Sequence, residues 1–158
     1  MNDKLNVWFK RFLDFSLIVG LFIEVTVPIG LRRAVDITTN VLGGSSEYLQ
    51  IKDHFLFAVV TIMIAGAFAL LILYELRKMM KTVIADDCFV QANVTSLYRM
   101  GNYAFAIALV KIIRCFVYFT TAAIVTAGVF IFAGVLSKVL AKVFDKAIRY
   151  KEENDLTI

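Results

Sequence analysis

The sequence predicts an all-α integral membrane protein, a four transmembrane helix bundle with a cytoplasmic extension of helix 4. Four long apolar blocks fill most of the 158 residues. Hydrophobic residues make up 60% of the chain and the mean hydropathy is +0.78, whereas soluble domains are about 45–50% apolar. A bilayer core about 30 Å thick takes about 20 helical residues at about 1.5 Å each, so each block has the length of one span.

The four spans are expected in a single domain that covers residues 1–158, since the polar connections are too short to bury a core of their own. No alternation of period two, which is typical of a transmembrane barrel, occurs along the chain. The predicted spans are about residues 14–32, 55–75, 97–114 and 121–143, followed by a cytoplasmic helix end and tail at 144–158.

The distribution of basic residues predicts the orientation. Twelve of the 17 lysine and arginine residues fall in the two terminal segments and around the connection between spans two and three. Positive residues are retained on the cytoplasmic side. Both termini and the middle loop should therefore be cytoplasmic, and the first loop external.

Span one follows a basic segment that holds Lys10 and Arg11, with Trp8 placed where an aromatic belt meets the headgroups. It carries Glu24 in its middle. Pro28 follows one turn later, which predicts a kinked or frayed outer end.

Span two is the most uniformly apolar block, and its small residues at 65–67 allow close approach of a neighbouring helix. Apolar residues at helical spacing continue this helix out of the membrane, and residues 89–99 begin the helix of span three. Span four ends with Lys138, Lys142 and Lys146 on one stripe, which should face anionic headgroups or a partner.

Glu24 and Lys111 are the predicted intramembrane pair. A carboxylate at mid-membrane costs about 2.5–3.5 kcal/mol on insertion scales, so such residues usually face a partner. Glu24 would lie about 15 Å and Lys111 about 21 Å from the cytoplasmic ends of their spans, a mismatch that a lysine side chain can bridge. A structural pair is the expected arrangement, and a proton or ion relay is the alternative.

No catalytic residues, cofactor site or metal site is predicted. His54 is the single histidine, and it cannot assemble a zinc site or a triad alone. Cys88 and Cys115 are expected to be reduced. We therefore expect that the protein is not an enzyme and that it binds no nucleic acid directly, because the membrane explains its basic stripes.

The C-terminal tail holds an acidic cluster, Glu152 and Glu153, and ends with the apolar residues Leu156 and Ile158. A solvated helix end is the default interpretation of such a terminus. Exposed apolar side chains beside a fixed charge pattern instead suit docking into a groove on another protein.

Two motifs give the chain a likeness to a known family. The tail at residues 151–158 ends Glu-Asn-Asp-Leu-Thr-Ile, and Phe89-Val90, Asn93-Val94, Leu97 and Met100-Gly101 recur between spans two and three at the family's spacing. In these motifs and in its four-span layout the chain resembles the bacterial membrane family known as domain of unknown function 2975. It departs from the pattern at Cys88, where the family usually has proline.

The resemblance implies a small multi-pass protein of the bacterial plasma membrane, and many members are encoded beside a small helix-turn-helix regulator. We therefore expect a regulatory or interaction protein that modulates such a regulator. A signal would shift the packing of spans one and four and alter access to the docking residues. These are Phe89, Asn93, Glu152, Glu153, Asn154, Asp155, Leu156, Thr157 and Ile158.

Two other functions are open at this stage. A small transporter or immunity-type membrane protein would use Glu24 and Lys111 in a polar path. A structural subunit of a larger assembly would use the same spans only for packing.

Overall fold

The computed structural model describes residues 3–41 and 51–155, and these residues form four long α-helices and no strand. They are α1 (Asp3–Val41), α2 (Phe55–Ile84), α3 (Gln91–Val117) and α4 (Thr121–Asp155). All four helices are long and apolar enough to cross a membrane. The predicted all-α class with four potential membrane spans is confirmed.

The helices pack in chain order. α1 packs on α2, α2 on α3, and α3 on α4, while no other pair brings its backbones together in the described part of the chain. Short turns at residues 85–90 and 118–120 make their helices antiparallel neighbours. α1 and α4, the two spans whose packing a signal is expected to shift, lie at opposite edges of an open row and do not contact each other in the described part of the chain. Lipid tails are as apolar as the helix surfaces, so nothing drives the two edges together.

α1 and α2 approach each other through two glycines. Gly20 is covered by Leu70, whose Cδ2 atom lies 2.6 Å from where a Cβ at position 20 would be. The Glu24 carboxylate occupies the space beside Gly66, so that a Cβ at position 66 would clash with it. An Arg77–Asp14 ion pair adds a polar contact between the same two helices, nearer the α2–α3 turn.

α3 and α4 make the closest backbone contact. A Cβ at Gly101 would lie 3.0 Å from the Gly134 carbonyl oxygen, and a Cβ at Gly134 would lie 3.1 Å from the Gly101 carbonyl oxygen. The Ser137 hydroxyl donates a 2.7 Å hydrogen bond to the Leu97 carbonyl on the opposite helix. Small residues thus let two helices pack tightly where a bilayer gives no hydrophobic drive.

The α2–α3 turn is built by backbone hydrogen bonds at the end of α2. The Ala85 amide donates to the Lys81 carbonyl at 3.2 Å, and the Asp87 amide donates to the Thr82 carbonyl at 3.0 Å. Asp86 lies between them at φ 55°, in the left-handed region that aspartate tolerates better than most residues. This turn returns the chain antiparallel to α2.

α1 is longer than the span predicted from hydropathy, and α4 continues past its span as a helix, as the sequence predicted. α1 continues without interruption through Pro28 to Val41. Proline removes one backbone donor but is tolerated in transmembrane helices, so the predicted fraying at this point is wrong. α4 continues its helix to Asp155.

Replacing Gly101 by alanine is expected to destabilise the protein by about 1–3 kcal/mol, because the new methyl group overpacks against the backbone of α4. Gly128 is the matched control, since a Cβ there meets nothing within 4 Å. Gly128→Ala should be neutral or stabilising by up to about 1 kcal/mol through helix propensity. Unfolding of the purified protein in mixed micelles measures both, and equal effects would contradict the close contact.

Candidate functional site

The candidate site lies where α2 ends, α3 begins and α4 ends. We call residues 75–100 and 137–155 the three-helix head. Its apolar core joins α3 to α4 and also includes Met79 from α2. The buried members of this core are Val94, Leu97, Ala141 and Ile148, with Met79 and Phe144 packed against them.

Glu75 forms the central polar contact of the head. It lies on α2 and is only 3% exposed. Its Oε2 atom accepts a 2.7 Å hydrogen bond from the Ser96 hydroxyl, and its Oε1 atom lies 3.2 Å from Nη1 of Arg99. Hydrogen bonds to a charged group are stronger than neutral ones, so this carboxylate holds α2 and α3 together.

Sequence reasoning missed Glu75. Its position directly after the apolar block of span two is typical of a solvated helix end, and nothing in its local pattern indicates burial. The one available signal was the pairing of an acid at the exit of α2 with Arg99 near the start of α3, and that signal depends on knowing how the two helices are rotated.

Asn93 stabilises the α2–α3 turn. Its Nδ2 atom donates 2.8 Å hydrogen bonds to the Thr82 hydroxyl and to the Cys88 carbonyl. The residue is 2% exposed. Asn93 is therefore not part of an exposed docking surface, and that prediction is corrected: its side chain is fully engaged in closing the turn.

Phe89 lies at the surface of the head. Its side chain is 47% exposed, and its ring packs against Phe144 of α4 at 5.4 Å between centroids. The Lys151 ammonium lies 3.7 Å from the Asp87 carboxylate, which ties the last turns of α4 to the same α2–α3 turn. The turn and the end of α4 therefore form one continuous surface.

The predicted docking tail lies partly on this surface. Glu152, Glu153 and Asn154 are exposed in the last turn of α4, which ends at Asp155. Leu156, Thr157 and Ile158 lie outside the described residues. Of the predicted docking residues, the structure thus brings Phe89 and the acidic end of α4 to the same end of the molecule.

The structure does not bring Glu24 and Lys111 together. Glu24 lies on α1 against Gly66 of α2, whereas Lys111 lies on α3. α1 and α3 do not pack on each other in the described part of the chain. The predicted intramembrane pair is not formed, because the serial order of the helices places α2 between the two charges.

A second polar group lies around the α3–α4 turn, at the end of these helices away from the head. Arg114 stacks over the Tyr118 ring at 4.6 Å, and Tyr118 also meets Phe57 of α2 in an edge-to-face contact. Burial raises the pKa of the Tyr118 phenol, and the charge of Arg114 partly offsets this. Thr61 and Thr120 are buried close to the same turn.

Within residues 3–41 and 51–155, no group of three or more His, Cys, Asp and Glu side chains is arranged to hold a metal ion. His54 is exposed at the start of α2, and Cys88 and Cys115 are free thiols on different parts of the chain.

The comparison with known families gives a clear match. The family described as Protein of unknown function (DUF2975) matches residues 27–158, which is most of the chain. This protein therefore belongs to that family, as the tail and the motif between spans two and three indicated. The searches of curated proteins and of solved structures gave no match.

Replacing Ser96 by alanine is expected to destabilise the protein by about 1–3 kcal/mol, because a buried carboxylate oxygen loses its donor. Thr95→Ala is the control, since the exposed Thr95 hydroxyl bonds only to the Gln91 carbonyl of its own helix. Urea or dodecyl sulfate titration in micelles measures the difference. A loss no larger than that of Thr95→Ala would show that Glu75 does not need this contact.

Asn93→Ala is expected to loosen the α2–α3 turn, with a loss of about 1–3 kcal/mol, since two buried hydrogen bonds disappear. Amide hydrogen exchange at residues 85–90 should become faster. Asn102, an exposed residue of the same helix, gives the control Asn102→Ala. Unchanged exchange at the turn in Asn93→Ala would contradict the assigned role.

Proposed function

We propose that this chain is a regulatory membrane protein of the bacterial plasma membrane whose three-helix head docks a small cytoplasmic helix-turn-helix regulator. The head lies at the end that the distribution of lysine and arginine assigns to the cytoplasm. The four helices long and apolar enough to cross a membrane support the membrane setting, and the surface of the head supports a protein partner.

One observation carries the proposal: the exposed ring of Phe89 and the acidic end of α4 belong to two segments, the α2–α3 turn and α4, that contact each other. Phe89 rests on Phe144, and Lys151 joins the acidic end of α4 to Asp87. Aromatic side chains are enriched at protein interfaces. DNA-binding domains carry basic surfaces, so Glu152 and its neighbours offer a complementary charge.

The serial order of helices suggests how a signal reaches this surface. α4 is an edge helix that packs on α3, and in the head the core shared by α3 and α4 also includes Met79 of α2. A change in the membrane that moves α4 along α3 would displace Phe144 and the acidic end together, and so change the docking surface. This route needs no direct contact between spans one and four.

Co-purification tests the proposal. The full chain is expressed with a small helix-turn-helix regulator of the kind encoded beside many family members, extracted in mild detergent, and captured by a tag on its N-terminus. Phe89→Ser and a chain lacking residues 152–158 should each retain about tenfold less regulator than wild type, since a central aromatic and a charge cluster are lost.

Asp53→Lys is the matched control, because it changes an exposed acid that lies two residues before α2, at the end of that helix away from the head. It should capture the regulator as well as wild type does. Equal capture by the chain lacking residues 152–158 would remove the tail as the docking element, and equal capture by both variants would overturn the proposed surface.

A further inference from the structure

Lys111 and Arg114 are two cations on one membrane-crossing helix. They lie one turn apart on α3, and Arg114 is itself one turn from the end of that helix at Val117. Charged side chains in a transmembrane segment are costly and almost always have a partner or reach the interface. A partner of opposite charge or contact with the interface is therefore expected for Lys111 and Arg114.

The contacts of Arg114 leave most of its donors unused. Nη2 lies 3.5 Å from the Thr120 hydroxyl oxygen, which is a long contact, and Nε is buried without a hydrogen-bond partner. The face of the guanidinium rests on the Tyr118 ring. A guanidinium carries five donors in a planar fork, so the stacked ring fixes its plane and leaves its terminal nitrogens available to an anion.

No carboxylate balances either cation. Among the described residues, no Asp or Glu oxygen lies within 4.0 Å of Lys111 or Arg114, and the four ion pairs in this part of the chain lie elsewhere. Lys111 and Arg114 are three residues apart on one helix, a spacing at which like charges repel each other. The Tyr118 hydroxyl is also buried, beside Thr61. Among the described residues, the cluster thus holds two cations and no carboxylate.

We propose that Lys111 and Arg114 together bind the phosphate group of an anionic membrane lipid. A phosphate supplies several acceptor oxygens and a negative charge, which relieves the repulsion between the two cations. An arginine fork and a lysine ammonium are the donors that proteins use for phosphate.

The position of the cluster favours lipid over free phosphate. Arg114 is close to the end of a membrane-crossing helix, at the depth where headgroups meet the hydrocarbon. On the neighbouring face of α3, Ile112, Cys115 and Phe116 line an apolar groove of about 470 Å³ that α4 completes with Ile124 and Ile131. A groove of this character at the same end of the membrane suits an acyl chain.

Native mass spectrometry of the full chain in detergent tests the site. Dioleoylphosphatidylglycerol and dioleoylphosphatidylcholine are added in equal amounts, and retained lipid is counted. Wild type should retain one phosphatidylglycerol in preference to phosphatidylcholine. Lys111→Gln should bind it about fivefold more weakly, as expected for one cation near a membrane surface, and Lys111→Gln with Arg114→Gln more weakly still.

Arg33→Gln is the matched control, since it removes an exposed cation from α1, and it should bind like wild type. If the double variant does not fold, two other measurements still test the site. They are the binding of phosphatidylglycerol by Lys111→Gln and the broadening of the ³¹P signal of this lipid by wild type. Inorganic phosphate at millimolar concentration should not displace the lipid. Displacement would assign the same site to free phosphate, and equal retention of both lipids by wild type and variants would overturn the proposal.

Discussion

Where α3 and α4 cross, the carbonyl oxygens of Gly101 and Gly134 occupy the space that a side chain at the opposite glycine would fill. A bilayer offers no hydrophobic gain for bringing two apolar helices together, so contact depends on dispersion between closely approaching backbones and on hydrogen bonds. This approach sets the distance at which Ser137 reaches the Leu97 carbonyl and at which α4 covers the apolar core of the head. The position of α4, and with it the surface of the head, follows from two residues without side chains.

The polar contacts of the head fix how α2 and α3 pack on each other. Glu75 would be costly to bury alone, but Ser96 and Arg99 on the neighbouring helix satisfy its two oxygens. Because these partners come from α3, the carboxylate stabilises one rotation of α3 against α2 over others. Asn93 fixes the turn between the same helices. Specific polar contacts here supply the orientation that apolar packing in a membrane leaves open.

The number and apolar character of the helices could be predicted from the sequence, because bilayer thickness imposes a minimum length and a composition on every span, whereas the continuation of α1 to Val41 could not. The order in which the helices pack could not be predicted. The predicted pair of Glu24 and Lys111 requires α1 and α3 to be neighbours, whereas α2 lies between them in the structure. The burial of Asn93 and Glu75 could not be predicted either. Both are polar residues whose surroundings depend on how α2 and α3 are rotated about their axes. The motif around Phe89 and the acidic end of α4 lie at the same end of the molecule, as the predicted four-span topology requires.

The open row of helices also bears on how the chain assembles during synthesis. In the described part of the chain, backbone packing joins only consecutive helices. Each helix can therefore pack on its predecessor as soon as it enters the membrane, and local contacts of this kind form quickly. The contacts of Phe144 with Phe89 and of Lys151 with Asp87 must wait for the last residues of α4. The head is thus completed last, so a finished head marks a chain that has been synthesised and inserted through its fourth helix.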